Sequence, residues 1–312
     1  MRFSKIKYFS HVEKNREETA MTTTLNRRSF ILASLSTAAL SAGLLAGCDG
    51  SPNATEDDAA TDAPGDEAGT GAVDTGTLIV GFDASYPPYG YRDDNGEYTG
   101  FDLELAQEVA ARNDWDVQLE PIDWDAKDTL LDSGAINCIW NGFTMEGRED
   151  DYTFSEPYML NAQVVVARAD SGIASFADLA GKNVITQVDS AAYNVLEGEE
   201  AAQADLRATF ANLETIPDYN TAFMQLESGA VDAVACDLSI AAYQLAAKPD
   251  AYVQLDESLS EEHYAVGFKK GDDATADTVT ETLRAMDEEG FVQELCEKYA
   301  DQGIDYANWC LG

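Results

Sequence analysis

From residue 77 onward, short apolar runs alternate with stretches of helical periodicity. Leu78-Ile79-Val80-Gly81-Phe82 has the length and content of a buried strand. After it, Leu103, Leu105, Ala106, Val109 and Ala110 recur within Asp102 to Arg112 on the spacing of one helix face. The same reading predicts strands at Val117 to Leu119, Ile136 to Trp140, Val164 to Ala167, Asn183 to Thr186, Val231 to Ala235 and Tyr264 to Phe268. Helices are predicted at Trp124 to Leu131, Ser190 to Glu197, Tyr219 to Glu227, Leu238 to Ala247 and Thr275 to Tyr299, the last with a break near Gly290. Strand-helix alternation of this kind argues for parallel sheets in an α/β fold. No internal repeat or low-complexity segment interrupts this body, and 312 residues suffice for two lobes, each with its own core.

The first 76 residues read differently. Arg27-Arg28-Ser29-Phe30-Ile31-Leu32 precedes an Ala-, Ser- and Leu-rich run that ends at Leu45-Ala46-Gly47-Cys48. Positive charge before a short apolar stretch and small residues before a cysteine resemble a bacterial lipoprotein signal peptide, with paired arginines like those of a twin-arginine export signal. A signal over 1–47 and lipidation of Cys48 are therefore expected, and Met21 opens a more ordinary signal than Met1 does. The competing reading is a transmembrane anchor, for which Ser29 to Gly47 is barely long enough and only mildly apolar. Asp49 to Gly76 is built mainly from Asp, Glu, Ala, Thr, Gly and Pro with almost no large apolar residue, which cannot offset the entropy of ordering, so 48–76 reads as an acidic tether.

Charge and cysteines narrow the class. The net charge is −39, and −43 once residues 1–47 are removed, which repels phosphate backbones and makes nucleic acid an improbable partner. Such acidity is ordinary for a solvated surface and does not itself select a basic ligand. Beyond Cys48 there remain Cys138, Cys236, Cys296 and Cys310, which allow three pairings; Cys296 and Cys310 flank the end of the last helix, so a local disulfide is one expectation. No metal site or cofactor is expected, because metal-ligand spacing is absent and the chain has two histidines.

Several motifs occur in a fixed order. Asp83-Ala-Ser-Tyr86-Pro87-Pro88-Tyr89 is followed by Gly96 to Asp102 and by Asn141-Gly142-Phe143-Thr144-Met-Glu-Gly-Arg148. Then come Phe154-Ser155-Glu156-Pro157-Tyr158, Asp178 to Lys182, Gln187 to Ser190, Gly229 to Asp237 and Tyr264-Ala-Val-Gly-Phe268. Over about residues 77 to 300 the chain resembles the family 3 solute-binding proteins of polar amino acid ABC importers. The resemblance implies a two-lobed, periplasmic-binding-protein-like (type II) α/β fold with a hinge between lobes. It places lobe one at 77–160 plus 264–312, and lobe two at 161–263. It further implies a monomer on the outer face of the cytoplasmic membrane that takes a free amino acid and hands it to an ABC transporter permease.

An amino acid presents one carboxylate and one ammonium, so a site must answer both charges. Arg148 can grip a carboxylate bidentately, with Gly142 adding a backbone donor and Thr144 a hydroxyl. The resemblance gives these three that role and adds Asn141 to the ligand set; the alternative for Arg148 is a solvated charge beside Glu146, Glu149 and Asp150. Thr144 to Arg148 is one residue shorter than the commonest family spacing. Asp237, at the carboxyl end of a strand, is by resemblance the ammonium counter-ion, or else a helix N-cap. Asp83 is either a ligand contact or a turn former. Gln187, Ser190 and Ala191 lie where the family offers a helix N-terminus to the carboxylate, although Asp189 there replaces a frequent glycine. Tyr86 and Trp124 align with aromatic positions that flank the ligand, Trp124 being equally suited to a core. Cys236 reads as a buried thiol and Tyr89 as core or rim. The acidic Asp83 and Asp189 point toward a polar or cationic ligand.

Two other classes fit the same fold. A dehydratase-like enzyme would need a poised acid or base, but after processing His263 is the sole histidine and no nucleophile elbow appears, so no enzyme is expected. The binding subunit of a membrane sensor is the second alternative.

Overall fold

Two five-stranded sheets organise the computed structural model, which describes residues 76–198 and 201–312. The expected signal over 1–47, the lipidation of Cys48 and all of the expected tether except Gly76 lie outside the described residues. Strands run β1 (Thr77–Phe82), β2 (Ser85–Tyr86), β3 (Gly90–Arg92), β4 (Tyr98–Thr99), β5 (Asp116–Pro121), β6 (Cys138–Ile139) and β7 (Tyr152–Phe154). They continue as β8 (Met159–Arg168), β9 (Asn183–Gln187), β10 (Asn212–Ile216), β11 (Ala233–Asp237), β12 (Tyr252–Tyr264) and β13 (Gly267–Lys269). Helices are α1 (Phe101–Arg112), α2 (Lys127–Ser133), α3 (Ala191–Glu197), α4 (Ala204–Arg207), α5 (Tyr219–Ser228), α6 (Leu238–Ala247), α7 (Asp273–Glu288) and α8 (Phe291–Tyr299).

The first sheet has the order β5-β1-β6-β13-β7, with β1 parallel to both β5 and β6 and β13 antiparallel to β6 and β7. The second has the order β10-β9-β11-β8-β12, with β9 parallel to β10 and β11 and β8 antiparallel to β11 and β12. Central strands explain the continuous apolar runs: Val164 to Ala167 of β8 and all of β11 are buried, as strands covered on both faces must be. Edge strand β5 carries Asp116 and Glu120, charges that discourage pairing with another sheet. This is the two-lobed α/β architecture of the type II periplasmic-binding fold.

β8 and β12 are the two long strands, and they pair antiparallel from Met159 opposite Tyr264 to Arg168 opposite Tyr252. Their Met159 and Tyr264 ends adjoin the first sheet, where Tyr158 N–H donates to the Tyr264 carbonyl and Thr144 bridges Tyr264. The thirteen residues of β12 are not anticipated by the sequence pattern, because Asp256, Glu257 and Glu261 break the alternation and the register shifts between Gln254 and Ser260. β7 and β10 are likewise unread, being short and half polar.

Other expectations shift by a few residues. The run at Ile136 to Trp140 contracts to β6, and the run at Tyr264 to Phe268 divides between the end of β12 and β13. The expected break in the last helix is Gly290, whose φ of 86° is a left-handed conformation that glycine adopts without strain. The expected Cys296–Cys310 disulfide is not formed. Cys296 is buried on the core face of α8, whereas Cys310 is exposed with its thiol directed to the Pro157 carbonyl at 3.5 Å; both are free thiols.

Phe268, fully buried on β13 between β6 and β7, tests the first core. Phe268→Ala is expected to lower unfolding stability by about 3–5 kcal/mol, read as a fall in the denaturant midpoint at unchanged slope. A midpoint within error of the native chain's would show that this core can collapse around the gap.

Candidate ligand-binding site

Strand register builds the polar half of the site. Across the β11–β8 pair Asp237 stands opposite Gln163, and across the β8–β12 pair Glu262 stands opposite Asn161. Asn161 and Gln163 are two apart on β8, so both amides project from one face, with a carboxylate strand on either side. Asp237 accepts from Asn161 Nδ2 at 3.0 Å, Gln163 Nε2 at 2.7 Å and the Tyr264 hydroxyl at 2.9 Å. Glu262 Oε1 accepts from the same two amides at 2.6 and 2.7 Å and from the Thr144 hydroxyl at 2.9 Å. Burial pushes the Glu262 carboxyl up to about 7, the charge of Asp237 adding to the effect, and burial raises Asp237 as well. Asp237 is the N-cap residue of α6 but makes no side-chain cap bond, so its carboxylate serves the cluster and not the helix.

The loop joining β6 to β7 supplies the cationic half. Arg148 is only 8 % exposed, donates from Nη1 to the Thr144 carbonyl at 2.9 Å and lies 4.9 Å from the Phe143 ring centre. Among the described residues it forms no salt bridge. Glu146, one of its acidic neighbours in sequence, is engaged instead with His263 Nδ1 at 2.6 Å. Asn141 is 1 % exposed, and neither its Nδ2 nor its Oδ1 has a hydrogen-bond partner.

Gly142 departs from its expected part. Its N–H donates to Asp102 Oδ2 at 2.5 Å and is therefore not free to meet a carboxylate. Asp102 is fully buried, also accepts from the Tyr158 hydroxyl at 2.8 Å, and is pushed up to about 7 by burial against the pull of those two donors. Gly142 has φ 57°, and a Cβ there would lie 3.0 Å from the Tyr264 ring and 3.2 Å from that of Tyr86. Both the conformation and the close approach of two aromatic rings thus require glycine.

One narrow cavity brings together nine of the eleven expected ligand residues. Tyr86, Trp124, Asn141, Thr144 and Arg148 come from the loops of the first sheet and the small β2-β3-β4 meander; Gln187, Ser190, Ala191 and Asp237 come from the second sheet. Gly142 adjoins it, behind Tyr86 and Tyr264. Asp83 does not line the cavity. Its carboxylate accepts from Ser85 N–H at 2.7 Å, as a turn former does, and from Gln187 Nε2 at 2.7 Å, and burial lifts it to about 6. It lines a neighbouring cleft with Asp123, Asp125 and Asp218.

The remaining residues are partly committed elsewhere. The Ser190 hydroxyl caps α3 by accepting from Tyr193 N–H at 3.1 Å. Asp189 has φ 55°, which accounts for a glycine being common at such a position, and its carboxylate is paired with Lys127, a lysine 2 % exposed. The anion beside the cavity is thereby neutralised. Trp124 donates its indole N–H to the Asp189 carbonyl at 3.2 Å and packs edge-on against Phe143, while Tyr89 is core and Cys236 is a buried thiol. Sequence reading missed Glu262, Asn161, Gln163, Tyr264 and Asp102. The available signal was two polar residues, Asn161 and Gln163, on one face of an otherwise apolar strand.

A family model described as bacterial extracellular solute-binding proteins, family 3, matches residues 78–302. The chain belongs to that family. It is 30% identical over 228 residues to the L-cystine-binding protein TcyJ of Escherichia coli K12, a match covering 72% of this chain and 82% of that one. The arginine-binding extracellular protein ArtP of Bacillus subtilis is 26% identical, with 71% and 85% covered. Among solved structures, an ABC uptake transporter substrate binding protein from Streptococcus pneumoniae with bound histidine superposes with a TM-score of 0.69 at 31% identity, covering 74% of this chain and 94% of that one.

Four buried carboxyls, Asp83, Asp102, Asp237 and Glu262, titrate higher in the folded chain than in the unfolded one. Folding therefore favours their protonated forms. For Asp83, Asp102 and Glu262 the stability contributed is complete below the unfolded carboxyl pKa and is lost as pH rises through about 6 to 7. The unfolding temperature of the ligand-free protein is expected to rise between about pH 8 and about pH 5, with a shallower rise in Asp102→Asn, whose amide oxygen keeps both donors. An Asp102→Asn profile as steep as the native one would locate the pH dependence elsewhere.

Proposed function

We propose that this protein is a lipid-anchored, extracytoplasmic binding protein that captures a free amino acid by closure of two lobes and delivers it to an ABC importer. The lobes are 77–160 with 264–312, and 161–263, joined by β8 and β12; Cys48 carries the lipid and 48–76 forms the tether. The observation that carries this reading is the pair of unmatched charges on one cavity. Among the described residues Arg148 is a buried guanidinium without an acidic partner, and Asp237 is a buried carboxylate without a cationic one. Leaving an ion buried and uncompensated is costly, so each awaits an opposite charge from outside.

A zwitterion supplies both. Its carboxylate meets Arg148, with the open amide of Asn141 as a further partner, and its ammonium meets Asp237. Tyr86 and Trp124 flank the aliphatic part. Charge-assisted hydrogen bonds are worth about 1.5–3 kcal/mol each, and a micromolar dissociation constant needs about 8 kcal/mol, so a handful is enough. Because Arg148 follows β6 of the first sheet and Asp237 ends β11 of the second, a ligand held by both favours the closed arrangement over an open one. The names of the relatives, which include a cystine-binding and an arginine-binding protein and a substrate binding protein solved with bound histidine, support an amino acid as the ligand class.

The test is a thermal-shift screen of residues 49–312 against the twenty L-amino acids and L-cystine. One or a few are expected to raise the unfolding temperature, and Arg148→Ala is expected to weaken their binding by about 2 kcal/mol or more, some thirtyfold in Kd. Binding that Arg148→Ala leaves unchanged would remove the carboxylate role and the reading with it.

A further inference from the structure

Glu262 is absent from the set of residues that the family resemblance brings to the ligand, and it does not itself line the cavity, yet it sits directly behind two residues that do, Thr144 and Asp237. It is 3 % exposed, and its Oε1 shares both amide donors with Asp237 Oδ1: Asn161 Nδ2 and Gln163 Nε2 each reach the two oxygens, at 2.6 to 3.0 Å. Thr144 on one side and Tyr264 on the other complete three donors to each oxygen. The second oxygens, Asp237 Oδ2 and Glu262 Oε2, take no hydrogen bond from any of these groups. Two neutral amides thus hold two buried carboxyls close together on the two strands that flank β8.

The surrounding groups leave this pair to settle its own charge. Near it are the phenols Tyr86 from β2, Tyr219 from α5 and Tyr264 from β12, with the thiol Cys236 next in sequence to Asp237 on β11, all held neutral because burial raises them well above their ordinary values. Arg148 lines the same cavity but is bonded to the Thr144 carbonyl. No Lys, Arg or His among the described residues forms a salt bridge with Asp237 or Glu262. Two carboxylates so placed without a cation cannot both ionise near neutral pH, and they titrate as a pair.

We propose that Glu262 is a positioning residue for the ammonium subsite: it shares one proton with Asp237 while the cavity is empty, and that proton leaves to solvent when a ligand's ammonium settles against Asp237, which lines the cavity in front of it. The inference rests on the capture of an amino acid proposed above and deepens it. Before capture the pair carries one proton and one negative charge. The arriving ammonium favours the doubly ionised pair, and the proton passes to buffer, so ligand uptake is linked to proton release. A ligand with a second cationic nitrogen near the pair drives the release further. Acidification accordingly opposes capture, since the proton and the ammonium compete for the same oxygens.

The experiment is calorimetric titration of the native chain with L-arginine, L-glutamine and L-cystine, and then the other L-amino acids, in two buffers of different ionisation enthalpy. Release of roughly half a proton per ligand is expected at about pH 7, growing toward about pH 6, with affinity falling up to about tenfold per pH unit below that. In Glu262→Gln the release near neutrality is expected to fall, because the second carboxyl that holds the proton beside Asp237 is gone. For histidine, whose own imidazole titrates in this range, the difference between the native chain and Glu262→Gln is the readout. Heat of binding that is the same in both buffers would overturn the linkage while leaving amino acid capture standing. No heat with any of these compounds would overturn capture, and the linkage with it. The native-chain measurement decides the matter even if Glu262→Gln fails to fold.

Discussion

A guanidinium that forms no salt bridge among the described residues, buried at Arg148, imposes an electrostatic cost that the fold offsets only in part, through the Phe143 ring and the Thr144 carbonyl. Asp237 stands in the mirror position, solvated by amides and a phenol in place of a cation. Much of the neighbouring structure follows from keeping these two charges dry, apart and opposite. The loop that carries Arg148 is pinned by Asp102, which holds Gly142 from behind, so the donor that sequence alone would aim at a ligand is spent on rigidity. Preorganisation of this kind leaves the unmatched charges in place rather than letting them relax toward solvent.

The two connecting strands are more than a link between sheets. β8 presents Asn161 and Gln163 to carboxylates on both neighbouring strands, and β12 ends at Tyr264, whose hydroxyl reaches Asp237, Ser239 and Tyr86. The strands that pass from one sheet to the other therefore also hold the anionic side of the cavity. Around its rim, Lys127 pairs with Asp189, Gln187 donates to Asp83, and Asn220 donates to the Ser85 carbonyl at 3.2 Å. These bonds join residues of the first sheet's loops to residues of the second, and they do so without using Arg148 or Asp237.

The longer helices were legible in the sequence because each buries one face, and the spacing of Leu103, Ala106 and Ala110 or of Val279, Leu283 and Met286 reports that directly; the four-residue α4 buries no side chain and was not anticipated. Central strands were legible for the complementary reason, their burial on both faces. β12 was not, since a strand with three exposed acidic residues and a register shift carries no periodic signal. The cavity's lining was largely readable by resemblance, with Tyr86, Trp124, Arg148 and Asp237 among the nine residues brought together. The roles of Gly142 and Asp83 were not, because a motif specifies which residue stands at a position and not which neighbour has claimed its hydrogen bonds.

By itself the sequence determined the α/β class, the order of most elements, the strongly acidic charge, and the residues from which a zwitterion site can be built. These are properties of local periodicity, composition and motif, written along the chain. Tertiary structure alone decided that Glu262 joins Asp237, that Lys127 neutralises Asp189, and that Cys296 and Cys310 stay apart. Each of those depends on strand register or helix facing between segments far apart in sequence, and electrostatic energy in a buried site is set by such distances and not by the identities of the residues alone.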